Sequence, residues 1–131
     1  MSIFVDDLEK LTIKNNNYRK VINTNKKQQL VLMSLNPGED IPKEIHKDVS
    51  QFIKIEQGEG EIIVNTKKYK FSSGFGIVIP PNTYHWVKNT SKTKKLKLYS
   101  IYSPKEHGEH EVDKRQPKTG GSLKTYKIIS L

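Results

Sequence analysis

Apolar residues along this chain come in short runs separated by polar breaks, without the three-to-four-residue spacing of an amphipathic helix. Runs rich in Val, Ile, Leu, Tyr and Phe predict strands near residues 18–23, 28–36, 43–47, 50–57, 60–65, 68–71, 76–80, 84–89 and 95–102. Gln51, Ile53 and Ile55 are each two apart and so share one strand face. The breaks carry turn chemistry: Asn36-Pro37-Gly38, Gly58-Glu59-Gly60, Asn65-Thr66, Ser73-Gly74 and Pro80-Pro81-Asn82. One short helix is expected near residues 5–11. Evenly spaced short strands without intervening helices predict an all-β domain, a small antiparallel barrel or jelly roll.

At 131 residues the chain is expected to form one domain, with its barrel core at about 18–103. From Pro104 the texture turns polar, and a loop or extended arm is expected, with Tyr126, Ile128 and Ile129 offering an edge strand in the tail. Hydrophobic residues make up 34% of the chain, so the core is small. No apolar run approaches the ~20 residues of a membrane helix. The first ten residues carry two aspartates where a secretory signal has positive charge, which sets the expected compartment as cytoplasmic. The absence of cysteine excludes disulfides, thiolate metal sites and thiol nucleophiles.

A net charge of +9 invites a nucleic-acid reading. Only Arg19 and Arg115 are arginines, the residue type that reads phosphate and guanine bidentately, and the lysines are spread along the chain. No nucleic-acid partner is therefore expected. A small anionic substrate is an equally direct use of the charge.

The chemistry concentrates around the histidines. Glu44 and His46 are two apart, and on one strand both point to the same side. Residues 48–50 are the right size for a hairpin turn, which returns Gln51 opposite His46. His85 follows the Pro80-Pro81-Asn82 turn at the start of another strand. Two imidazoles, a carboxylate and an amide oxygen meeting inside one barrel suit a divalent metal such as Zn, Fe, Mn or Ni.

These residues sit at the offsets of a known pattern. Gly38, Glu44-x-His46, Gln51 and Gly58 resemble the first motif of the cupins, and Gly74, Pro80, His85 and Asn89 resemble the second. The resemblance covers residues 30–102 and implies a double-stranded β-helix. Asn82 replaces the glycine of the second motif, a mild change because Asn tolerates a left-handed backbone. Two further departures bear on function: the first histidine of the family's metal set is Glu44 here, and its glutamate is Gln51. All four positions keep a donor atom. The inventory resembles that of type I mannose-6-phosphate isomerases, with carboxylate and amide exchanged.

Residues 95–110 resemble the end of small bacterial cupins described as mannose-6-phosphate-isomerase-like. That likeness puts His107 on a loop leaving the barrel, where it has the chemistry of a general acid or base. The plain alternative is a solvated loop histidine. Three functions follow: a metal-dependent sugar-phosphate isomerase, a non-haem metal dioxygenase built on Glu44, His46 and His85, or a non-catalytic small-molecule-binding barrel. A homodimer is expected, since small barrels of this type leave sheet edges to cover.

Overall fold

The computed structural model describes residues 3–117 and the backbone of residues 127–128. The elements among them are α1 (Leu8–Lys14), β1 (Arg19–Thr24), β2 (Gln29–Leu35), β3 (Asp40–Ile45), β4 (Ser50–Gln57), β5 (Glu59–Val64), β6 (Lys67–Ser72), β7 (Gly76–Ile79), β8 (His85–Asn89), β9 (Leu96–Ser103), β10 (Val112–Asp113) and β11 (Lys127–Ile128). The strands form two antiparallel sheets, in the orders β10-β1-β2-β9-β4-β7 and β11-β3-β8-β5-β6. Chain neighbours β3 and β4 lie in different sheets, and so do β2 and β3, the crossing pattern of a jelly roll. The all-β expectation holds.

The core is built by alternation. Along β4, Gln51, Ile53 and Ile55 face inward while Phe52 and Lys54 are half-buried on the outer side. Along β9, Leu96, Leu98, Ser100 and Tyr102 do the same. Val31, Met33 and Leu35 from β2 complete this wall, and Ile41, Ile62, Phe71 and Val87 face them from the second sheet. Each such side chain contributes on the order of 1.5–3 kcal/mol by leaving water.

The helix starts later than expected, at Leu8, because the Asp7 carboxylate accepts the Lys10 backbone N–H at 3.1 Å and so caps the first turn there. Its last turn is tied to the outer face of the first sheet by Lys97, whose ammonium donates to the Asn15 carbonyl and, at 2.8 Å, to the Asn16 side chain. Lys97 is buried by this contact, and burial lowers its pKa.

The segment after Pro104 departs from expectation. It folds back on the barrel instead of leaving it. β10 pairs with β1, and the buried Arg19 guanidinium lies 2.7 Å from Asp113 and 3.5 Å from Glu111. In the tail, Lys127 and Ile128 pair with Ile45 and Glu44 at the edge of β3, whereas Tyr126 and Ile129 lie outside the described residues.

Candidate metal centre

Glu44 reaches the barrel interior through a break in the strand. The β3–β8 ladder pairs Ile41 with Val87 and next pairs Glu44 with His85, so the register shifts across Pro42 and Lys43. Simple alternation from the buried Ile41 would send Glu44 outward. Proline has no N–H for the ladder and tolerates such a bulge, which turns Glu44 inward. His46 lies just beyond the end of β3, not on the strand as expected, and its carbonyl accepts the Asn82 N–H at 3.0 Å. Asn82 has φ of +60°, the left-handed turn conformation that the motif's glycine would adopt. This bond ties the turn after β3 to the turn before β8, and thereby His46 to His85.

The structure brings Glu44, His46 and His85 together, whereas Gln51 comes from the facing sheet and not across a hairpin, since β3 and β4 do not pair. Nε2 of His46 lies 3.0 Å from Glu44 Oε1, and Nε2 of His85 lies 3.3 Å from the same oxygen. The two imidazole centroids are 5.1 Å apart. One ligand atom from each of the three residues falls within 4.8 Å of the others, and all three residues are buried. Gln51 faces them from the other sheet. Its Nε2 donates to Ser100 Oγ at 3.1 Å and to Tyr102 Oη at 3.3 Å, and the Tyr102 ring stands edge-on to His46 with centroids 5.4 Å apart. These bonds fix the amide nitrogen on Ser100 and Tyr102 and leave its oxygen for another partner.

Each histidine is held by its far nitrogen. The Thr83 carbonyl, which can only accept, lies 3.0 Å from His85 Nδ1, so that nitrogen carries a proton and Nε2 is the one turned toward Glu44. Glu106 Oε2 lies 3.1 Å from His46 Nδ1. The charges respond accordingly. Burial pushes the Glu44 pKa up, yet His46 and His85 more than offset it and hold the carboxyl at about 2. Burial pushes His46 down, yet Glu106 and Glu44 raise it to about 9.

The donor set fits a divalent ion. Glu44 Oε2, Gln51 Oε1 and His85 Nε2 are buried with no hydrogen-bond partner among the described residues. Each buried polar group left in that way costs about 1–3 kcal/mol. Glu44, His46 and His85 would supply a carboxylate oxygen and two imidazole nitrogens to one ion, and Gln51 adds an unpartnered amide oxygen on the facing wall, donor types that Zn, Fe, Mn and Ni all accept.

His107 sits elsewhere than expected. It is neither solvated nor on an open loop: the ring is buried, edge-on to Tyr102 with centroids 5.0 Å apart. Burial first, and then the charge of Arg19, push its pKa down to about 3. At neutral pH it is an uncharged ring with little tendency to take up a proton, which works against the acid–base role expected of it. Trp86 points away from His85 as parity requires. It is half-buried on the outer side of its sheet, its indole N–H donating to Asp40 and its ring flanked by the Lys43 and Lys88 ammonium groups. Sequence reasoning missed Glu106, a carboxylate in a polar segment with no periodicity to mark it.

A double-stranded β-helix carrying inward-facing donors at two motifs defines a cupin. The profile of the Cupin domain family matches residues 31–102, and the chain belongs to this family. It is similar to the uncharacterized protein L612 of Acanthamoeba polyphaga mimivirus, 46% identical over 123 residues, which is 92% of this chain and 77% of that protein. It is also 46% identical over 112 residues to the uncharacterized protein YrkC of Bacillus subtilis, covering 79% of this chain and 59% of that one. Among solved structures, BH2720 from Bacillus halodurans matches with a TM-score of 0.83 and 36% identity, over 86% of this chain and 89% of that chain. Among the described residues, no helix is long and apolar enough to cross a membrane.

Proposed function

We propose that this cupin holds one divalent metal ion at Glu44, His46, Gln51 and His85 and acts as a metal-dependent isomerase on a small sugar phosphate. The observation that carries the proposal is the convergence of two imidazole Nε2 atoms on one buried carboxylate, beside an amide whose oxygen has no other partner. A bound divalent ion supplies Lewis acidity, polarising a substrate carbonyl or hydroxyl. The chain's own contribution is placement. Thr83 and Glu106 aim the imidazoles, Ser100 and Tyr102 aim the amide, and the burial of all four donors excludes water. Tyr102 puts a phenol hydroxyl beside Gln51 and is the proton-bearing group this reading assigns to the transfer. The +9 charge supports an anionic substrate, and a homodimer belongs to the same proposal.

Elemental analysis of protein purified without added metal, followed by an aldose–ketose sugar-phosphate assay, tests the reading. Expected are a stoichiometric metal and a turnover that Glu44→Ala and His85→Ala both abolish together with the metal. A wild type without stoichiometric metal, or variants that keep it, overturns the assignment. Glu44, His46 and His85 alone form a two-histidine, one-carboxylate set, which favours a non-haem Fe(II) dioxygenase as the second reading. Oxygen uptake by iron-loaded protein, with no isomerisation, would select it.

A further inference from the structure

The two histidines of the centre are oriented by different means. His85 Nδ1 donates to Thr83, two residues away on its own strand approach, so its orientation is local. His46 Nδ1 faces Glu106, which arrives from sixty positions downstream, outside both motifs. Nothing in the local backbone of His46 supplies that carboxylate.

The carboxylate is in turn held by a clamp. Gln29, fully buried in β2, uses its amide in both directions on the segment that carries Glu106. Its Oε1 accepts the backbone N–H groups of Glu106 at 3.1 Å and of His107 at 2.8 Å. Its Nε2 donates to the His107 carbonyl at 2.8 Å and to Thr24 Oγ1 at 2.9 Å. One side chain therefore engages the backbone N–H and carbonyl of His107 together with the N–H of Glu106, and so fixes the direction from which Glu106 enters. The Glu106 side chain is only 8% exposed, so the contact to His46 is shielded from water and from screening salt.

We infer that Glu106 is a positioning residue for the metal centre: held by Gln29, its carboxylate fixes the His46 ring and its tautomer so that Nε2 is presented to the ion. The inference rests on the metal reading above and adds a dependence of affinity on the segment after β9. A carboxylate on the far nitrogen of a ligand imidazole commonly accounts for 10–100-fold in metal affinity. A glutamine at 106 keeps an oxygen that accepts from Nδ1–H but loses the charge, and an alanine loses both.

The test is zinc affinity measured by competition with a chromophoric chelator on wild type, Glu106→Gln and Glu106→Ala. Long-range nitrogen–proton NMR of the His46 ring is recorded in the zinc-loaded proteins. Expected is a 10–100-fold loss of affinity in Glu106→Ala and less than about 10-fold in Glu106→Gln. The exchange-protected Nδ1–H signal of His46 is kept in Glu106→Gln and lost in Glu106→Ala. A general loosening of the fold would not be rescued by the amide, nor would it act on one ring alone. Equal zinc affinity in all three proteins, or a protected His46 Nδ1–H in Glu106→Ala, overturns the inference. A wild type that binds no zinc stoichiometrically removes the metal reading itself, and the role of Glu106 falls with it.

Discussion

On the proposed metal reading, a centre assembled from separate stretches of chain couples metal binding to folding. Glu44, His46 and His85 come together only when β3 and β8 are in place, so the unfolded chain offers no comparable set of donors. With binding confined to the folded state, zinc at one hundred times its dissociation constant stabilises by about 2.7 kcal/mol. Unfolding entropy is about 2.1 cal/mol/K per residue near 60 °C, hence about 0.28 kcal/mol/K for 131 residues. The two together give a rise in Tm of about 10 °C.

The assay is thermal unfolding followed by circular dichroism, with zinc and with a chelator, for wild type, Glu44→Gln and His85→Ala. The comparison of interest is the shift within each protein. Removing the buried His85 ring opens a cavity that lowers stability in the absence of zinc, by about 3–5 kcal/mol if it behaves like a core aromatic. That loss cancels when each variant is compared with itself. Wild type is expected to gain about 10 °C, and both variants are expected to lose most of the gain. A wild type unmoved by saturating zinc, or variants that retain the full shift, would refute the coupling.

Three further outcomes follow from individual contacts. In Gly60→Ala the new Cβ would lie 2.2 Å from the Lys88 carbonyl oxygen and 2.8 Å from the Phe71 ring, forcing β5 away from β8. Chemical denaturation should show a loss of at least about 1–3 kcal/mol, and a variant as stable as wild type would contradict the packing. Asn89→Ala removes a buried amide that donates to the carbonyls of Leu35, Asn36 and Lys94 and accepts from the Ser91 N–H. Unpaired buried carbonyls each cost about 1–3 kcal/mol, so a loss of about 3 kcal/mol or more is expected, and under about 1 would be inconsistent with the clamp. The third outcome concerns pH in the metal-free protein. His107 is lowered from 6.5 to about 3, so its neutral form contributes stability that is present above pH 6.5 and lost as pH falls toward 3. His46 is raised from 6.5 to about 9, so its contribution is present below pH 6.5 and lost as pH rises through 9. Glu44, lowered from 4.5 to about 2, adds a further loss as pH falls from 4.5 toward 2. Urea midpoints should therefore peak near pH 6.5, and a curve still rising at pH 8.5 would exclude this account of His46.

The strands and the donors were legible for the same reason: both are carried by short-range spacing. Alternation at Gln51, Ile53 and Ile55 reads directly as the inner face of β4, and the glycine, proline and asparagine turns fix where each strand stops. Glu44 was placed correctly by an incomplete route. The expected strand parity relates it to His46, but the structure brings it inward through the Pro42–Lys43 bulge and leaves His46 beyond the strand end. What the spacing does not carry is any contact between polar groups far apart in the chain. Arg19 and Gln29 look like ordinary strand polars, yet each is buried because its partners, Asp113 and the Glu106–His107 backbone, arrive some eighty to ninety-five residues later. His107 was misplaced for that reason.

The buried polar clamps and the modest apolar content belong together. With 34% hydrophobic residues the chain has an inner layer large enough to close two sheets, and little apolar surface left over to fasten the helix, the turns or the segment after β9. Those parts are fastened by polar side chains that are themselves nearly inaccessible: Lys97 on the helix end, Asn89 on three loop carbonyls, Gln29 on residues 106–107 and Arg19 on β10. A buried hydrogen bond adds only about 1 kcal/mol when made, but a buried group left without its partner costs about 1–3. Such clamps therefore discriminate against wrong packings more strongly than they stabilise the right one. Gln29 holds the segment that brings the Glu106 carboxylate to His46, so on the proposed metal reading the fastening of the chain and the tuning of the centre share one side chain.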